Sequence, residues 1–169
     1  MCLAEERWGY VRGNFKYYSL DFCFSMRLPI EVEAILFRRS SKGLEYLVVK
    51  RVPEKGGFWQ PVTGGVEEGE TKAEALKREV REESGIENIV KIIEDVHYFE
   101  FSDPHLFKEY VFGVEISSNE KVVLEENVHS EFRWCSFQEA LRLLKWEGNK
   151  EGLRKLNRIL GINGNCSVS

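Results

Sequence analysis

Apolar side chains recur at every second position from Ile30 through Val32, Ala34 and Leu36, with Glu31 and Glu33 between them, which predicts a half-buried strand. Ser40 to Gly43 carries turn chemistry, and Glu45 to Val52 (EYLVVKRV) reads as a second strand, so the two form a hairpin. Pro53 to Gly57 is a loop, followed by the aromatic and polar lead Phe58-Trp59-Gln60-Pro61-Val62-Thr63. Ile89 to Ser102 and Phe107 to Ser117 are rich in β-branched and aromatic residues and are split by Asp103-Pro104, the pattern of two long antiparallel strands. Asn119 to Glu131 is an acidic loop with an apolar centre at Val122 to Leu124, and Phe132 to Cys135 is a short strand. Ser136 with Glu139 forms a capping box that opens a helix running to Trp146. Gly148 should break it, and Leu153, Leu156, Ile159 and Leu160 give Lys150 to Leu160 helical spacing. The pattern as a whole predicts an α+β fold, with helices on both sides of a mixed sheet.

The stretch Gly64 to Ile86 (GGVEEGETKAEALKREVREESGI) departs from simple patterning. A tight glycine turn at Gly64 is expected to lead into a helix opened by the capping box of Thr71 and Glu74 and closed by Gly85. Leu76 and Val80 would face the core. Glu79, Glu82 and Glu83 are spaced i, i+3, i+4 and so share one helix face. Like charges so placed repel, and Arg78 pairs with only part of them. A hard divalent cation such as Mg²⁺, which takes carboxylate and phosphate oxygens, is the natural partner.

Composition narrows the picture further. With 169 residues, 43% of them hydrophobic, the chain suits one domain with a substantial core. A net charge of −4 gives no basic excess, which argues against a nucleic-acid polymer as partner. Cys2, Cys23, Cys135 and Cys166 lack metal spacing and fit free thiols in a reducing cytoplasm. Residues 1–25 are strongly aromatic but contain no run resembling a signal peptide or membrane span; they suit extra strands, an edge cover or a homodimer contact, and Met26 is an alternative start. Residues 26–161 are expected to form the domain and 162–169 a flexible tail. His97, His105 and His129 show no ligand spacing, while Trp134 and Trp146 fit core or helix packing.

Gly64, Glu70, Arg78, Glu79, Glu82, Glu83, Gly85 and Ile86 together match the pattern Gx5Ex7REUxEExGU, where U is aliphatic. On these residues the chain resembles the Nudix hydrolases, from about residue 28 to residue 160. The resemblance implies an α/β/α sandwich with a mixed β-sheet, the box helix and C-terminal helices. It implies Mg²⁺-dependent hydrolysis of a diphosphate bridge, with Mn²⁺ as a substitute ion. Glu79, Glu82 and Glu83 would hold metal, a backbone carbonyl near Thr63 to Gly64 would join them, and Glu79 would also serve as general base. Arg78 would orient the carboxylates and Glu70 would support the loop.

Related chains carry a further glutamate six residues before the tryptophan of the Arg-Trp strand; here that position is Val128, with Glu125, Glu126 and Glu131 as nearby substitutes. The run from Phe58 to Glu70 resembles the branch acting on dihydroneopterin triphosphate or dATP, and Trp146-Glu147-Gly148-Asn149-Lys150 adds to that likeness. The implied activity is cleavage of a nucleoside or pterin triphosphate to monophosphate and pyrophosphate. Trp59 is then a candidate to stack on a flat base or, equally, a core aromatic; Gln60 would read a base edge, and Arg51 or Lys50 would hold phosphate. Dinucleoside polyphosphate or nucleotide-sugar hydrolysis is the alternative within the family. A nucleotide-binding module without catalysis is the alternative outside it, and the retained glutamates favour the enzyme.

Overall fold

Strand β1 (Arg27–Ser40) touches three other strands and sets the frame. The computed structural model describes residues 27–102 and 105–164; the aromatic N-terminal extension, the Asp103-Pro104 breaker and the end of the tail lie outside the described residues. Along one edge β1 runs parallel to β6 (Leu106–Ile116), from Ile30 opposite Lys108 to Phe37 opposite Glu115. Its other edge is shared. β4 (Val62–Glu67) pairs antiparallel with its first half, and β2 (Gly43–Arg51) with its last residues. β5 (Ile89–Ser102) lies outside β6, while β3 (Trp59–Gln60) and β7 (His129–Cys135) both pair with β2.

Both faces of this sheet are covered, as an α/β/α sandwich requires. Val32, Ala34 and Leu36 join Leu76, Val80 and Ile86 on the side of α1 (Lys72–Ser84). Ile35 and Phe37 join Leu144, Leu153, Leu156 and Leu160 on the side of α2 (Phe137–Leu143) and α3 (Glu147–Gly164). The expectation of a half-buried β1 is therefore corrected: even its polar-looking Glu33 is 0% exposed, because α3 closes the second face. Among the described residues no helix is long and apolar enough to cross a membrane. Cys135 is a buried free thiol; the other cysteines lie outside the described residues.

Other boundaries shift for identifiable reasons. Gly148 does not break a helix but sits in the first turn of α3, where a Cβ would come within 2.6 Å of the Phe99 ring. The backbone cost of glycine in a helix, about 1 kcal/mol, is offset by letting α3 lie close on β5. α2 stops before Leu144, whose extended backbone bridges to Trp59, so Trp146 falls in the connection and is half exposed rather than packed in a helix.

Glu33 and Glu109 are buried together on the α3 side, and Asn149 Nδ2 donates to Glu33 Oε2 at 2.7 Å. Burial pushes the Glu33 carboxyl well above the usual range, against the hydrogen bond from Asn149. Burial also raises Glu109, reinforced by the charges of Glu33 and Glu31. These groups keep protons in the native state at a pH where the unfolded chain has lost them, so stability falls as pH rises from the ordinary carboxylate range toward neutrality. Urea unfolding should therefore give a lower free energy at about pH 8 than at about pH 5.5, and Glu33→Gln should reduce that difference. A stability that climbs over this range would refute the assignment.

Candidate active site

The capping box of α1 forms as its sequence predicts: the Thr71 hydroxyl accepts from the Glu74 N–H at 3.2 Å and the Glu74 carboxylate accepts from the Thr71 N–H at 2.9 Å. With Ala75, Leu76 and Val80 buried in the core, the rotation of the helix is fixed. Glu79 and Glu83 are consequently turned inward, at 6% and 5% exposure, while Glu82 keeps its side chain half exposed.

The inward turn works only because of Gly64. This residue lies in β4 opposite Val32, and a Cβ there would sit 1.9 Å from Glu79 Cδ and 2.1 Å from its Oε1. The glycine turn expected at Gly64 is thus a strand, and the residue is glycine for close approach rather than for a left-handed backbone. The turn lies further on, at Gly69, with φ of 81°.

Arg78 ties the strand, the loop and the helix together. Its Nε and Nη2 donate to the two oxygens of Glu70, each at 2.9 Å, and Nη2 also reaches the Gly65 carbonyl at 2.9 Å. Nη1 donates to Glu79 Oε1 at 2.6 Å and to Glu82 Oε2 at 3.3 Å. Glu70 in turn accepts from the Glu67 N–H at 3.1 Å, which fixes the loop. The guanidinium holds the Glu70 carboxyl below the usual carboxylate range. Glu79 goes the other way: burial pushes it up to about 7 despite Arg78, and the charges of Glu83 and Glu82 add to the rise.

Behind Glu83 lies a residue that no spacing in the chain singles out. His129, fully buried at the start of β7, has Nε2 3.0 Å from Glu83 Oε2 but out of line for a hydrogen bond. Both of these atoms, and His129 Nδ1, have no hydrogen-bond partner among the described residues. The loop before β7 brings it there, since the N–H groups of Val123 and Glu125 bond the carbonyls of Ser84 and Glu83 at the end of α1. Its only signal was indirect: it follows Val128, the position where related chains place a glutamate.

The remaining candidates divide between the two faces of the sheet. Arg51 pairs with His129 at the end of β2, and its Nε is buried with no hydrogen-bond partner among the described residues. Gln60 is buried, and its amide donates to the Thr63 hydroxyl at 3.3 Å. Trp59 packs instead toward the α2 and α3 side, with the Arg133 guanidinium 4.9 Å and the Lys50 ammonium 5.8 Å from its ring centroid. Glu131 goes with that group, bonded to Arg133 at 2.7 Å and 3.9 Å from Lys50. Glu126 is exposed in the loop, and the Glu125 carbonyl accepts from the His129 N–H.

An all-carboxylate set with a buried, unpartnered oxygen on Glu83 fits a hard cation. Among the described residues no three such side chains converge on one point, and Glu79 and Glu82 are both held by Arg78. Gly64→Ala would force Glu79 aside. We expect the substitution to weaken Mg²⁺ binding by about tenfold or more while the circular dichroism spectrum stays native; unchanged Mg²⁺ affinity would show that the contact is incidental.

The NUDIX domain family model matches residues 27–156. Dihydroneopterin triphosphate diphosphatase from Escherichia coli K12 is 28% identical over 141 residues, which cover 75% of this chain and 91% of that protein. Octanoyltransferase from Myxococcus xanthus is 35% identical over 112 residues, 64% of this chain, but the chain spans only 31% of that relative's length. Among solved structures, a NUDIX hydrolase from Listeria monocytogenes superposes with a TM-score of 0.71 at 30% identity, covering 80% of this chain and 97% of the other. A family match that takes in every strand of the sheet and reaches into α3 leaves one assignment: the chain belongs to the Nudix family and is a Nudix hydrolase.

Proposed function

We propose that the chain hydrolyses a purine- or pterin-bearing triphosphate to its monophosphate and pyrophosphate, using Mg²⁺ or Mn²⁺ held by Glu79, Glu82 and Glu83. The observation that carries this reading is the buried pair Glu79 and Glu83, the first lying against Gly64 of β4 and the second beside His129. The triphosphate branch is supported by the run from Phe58 to Glu70 and by the similarity to the E. coli diphosphatase, whose name states its substrate. A divalent cation, when bound, neutralises phosphate charge and lowers the pKa of water.

The chain's own residues supply the rest. Glu79, with a carboxyl near neutrality, is suited to take the proton of the attacking water as oxygen bonds to phosphorus and the P–O bond to pyrophosphate breaks. Arg78 acts as a positioning residue, because it holds Glu79 and the Glu70 loop in one hydrogen-bonded frame. Arg51, whose Nε has no hydrogen-bond partner among the described residues, offers a donor for a phosphate oxygen. His129 backs Glu83 and limits where that carboxylate can swing.

Hydrolysis of dihydroneopterin triphosphate, dATP, diadenosine tetraphosphate and ADP-ribose, each with Mg²⁺, should be followed by chromatography of the products. We expect the two triphosphates to yield pyrophosphate, and Glu83→Gln to lower the rate by about a hundredfold or more. Turnover confined to the dinucleotide or to ADP-ribose would overturn the triphosphate reading and leave the hydrolase in place.

A further inference from the structure

The flank of α1 turned away from Glu79 has no part in the chemistry described so far. Lys77 and Arg81 each stand two residues from Glu79, close to half a helical turn, so they face β5 while Glu79 faces β4. Between that flank and the start of β5 runs a groove of about 640 Å³. One wall carries Lys77 and Arg81, about one turn apart, and the other carries Lys91. Its floor is aliphatic: Ile89 and Ile92 are half buried, and Val90 stands 63% exposed at the rim. Glu87 is the one acid among the residues that line it.

The charge of this groove is out of keeping with the rest of the surface. Arg38, Arg39, Arg133, Arg154 and Arg158 each hold a carboxylate. Lys77, Arg81 and Lys91 are in no ion pair among the described residues. In a chain of net charge −4, three cations are thus gathered over apolar side chains with one acid beside them. Like charges four residues apart destabilise a helix, and an exposed valine gains nothing from water. A partner that brings carboxylates and aliphatic groups together relieves both costs.

The shape narrows the kind of partner. β5 ends the sheet and, among the described residues, pairs with β6 alone. Its register shifts between Ile89 and Lys91 and again between Ile93 and His97, and an edge so broken resists the addition of another strand. Recognition therefore falls to side chains. A concave groove with cations on both walls fits a rod better than it fits a flat lipid surface. Carboxylates four residues apart on a helix repeat the spacing of Lys77 and Arg81, and an adjoining apolar stripe matches the floor.

We propose that the groove between α1 and β5 docks an acidic amphipathic helix of a partner protein, whose carboxylates meet Lys77, Arg81 and Lys91 and whose aliphatic side chains cover Ile89, Val90 and Ile92. The inference goes beyond the hydrolase reading and does not rest on it. It makes α1 two-sided, with the box on one flank and a docking surface on the other, so an occupied groove leaves the box open.

Fluorescence anisotropy tests this with a fluorescein-labelled helical peptide that carries glutamates four residues apart beside a stripe of leucines, and with a counterpart in which lysines replace the glutamates. Both are titrated with the wild-type chain, with Lys77→Glu combined with Arg81→Glu, and with Val90→Asp; melting temperature and Mg²⁺-dependent hydrolysis are recorded for each. The acidic peptide should bind saturably and about tenfold or more tighter than the lysine peptide. Both variants should weaken it by about tenfold or more, as should added salt, while melting temperature and hydrolysis stay as in the wild type. An acidic peptide that fails to bind, that binds the variants as tightly as the wild type, or that binds no better than the lysine peptide would overturn the docking surface. Cosedimentation with phosphatidylglycerol vesicles that needs Lys77 and Arg81, without peptide binding, would assign the patch to an anionic membrane and overturn it equally. If the wild type hydrolyses nothing yet the peptide binds as expected, the hydrolytic reading fails and the docking surface stands.

Discussion

Everything at the box depends on the contact between a carboxylate and a missing side chain. Glu79 occupies the space that any Cβ on Gly64 would fill, so β4 and α1 can pack only with this glutamate between them. Burial there would be costly for a lone charge. Arg78 offsets part of the cost by binding Glu79 while its other nitrogens grip Glu70 and the Gly65 carbonyl. Strand, loop and helix are thereby fixed to one another by a single guanidinium, and what remains uncompensated, Glu83 and the excess charge, is what a cation would meet.

The same strand pair carries a second polar cluster on its other face. β1 has α1 packed against Val32, Ala34 and Leu36 and α3 packed against the alternate residues, so two buried polar sites stand back to back across the sheet. Thr63 and Gly64 of β4 pair with Glu33 and Val32 of β1, so the backbone of the box strand borders both clusters. Changes in β4 should be felt on either side.

Much of this was legible in the chain. The helix bounds of α1, its capping box and the spacing of Glu79 and Glu83 follow from short-range rules, which is why Thr71 and Gly85 fall where the pattern puts them. The two long strands and the second capping box at Ser136 were read for the same reason. Long-range facts were not. Nothing near Gly64 says that its partner is Glu79 fifteen residues later, so the glycine read as a turn. His129 gave no signal because its role comes from a loop folding back on α1, and Glu33 read as solvent-facing because alternation cannot reveal that a distant helix covers the second face. Gly148 looked like a breaker because its use, the close approach to Phe99, is also tertiary.

The most direct measurement is the binding of Mn²⁺ followed by electron paramagnetic resonance, in the wild-type chain beside Glu79→Gln, Glu83→Gln and Thr71→Ala. The buried carboxylates should give the wild type saturable binding that both glutamine variants weaken by about tenfold or more, with Thr71→Ala, a change to the cap alone, binding as the wild type does. Glutamine variants that bind Mn²⁺ as tightly as the wild type would contradict the placement of the cation at Glu79 and Glu83.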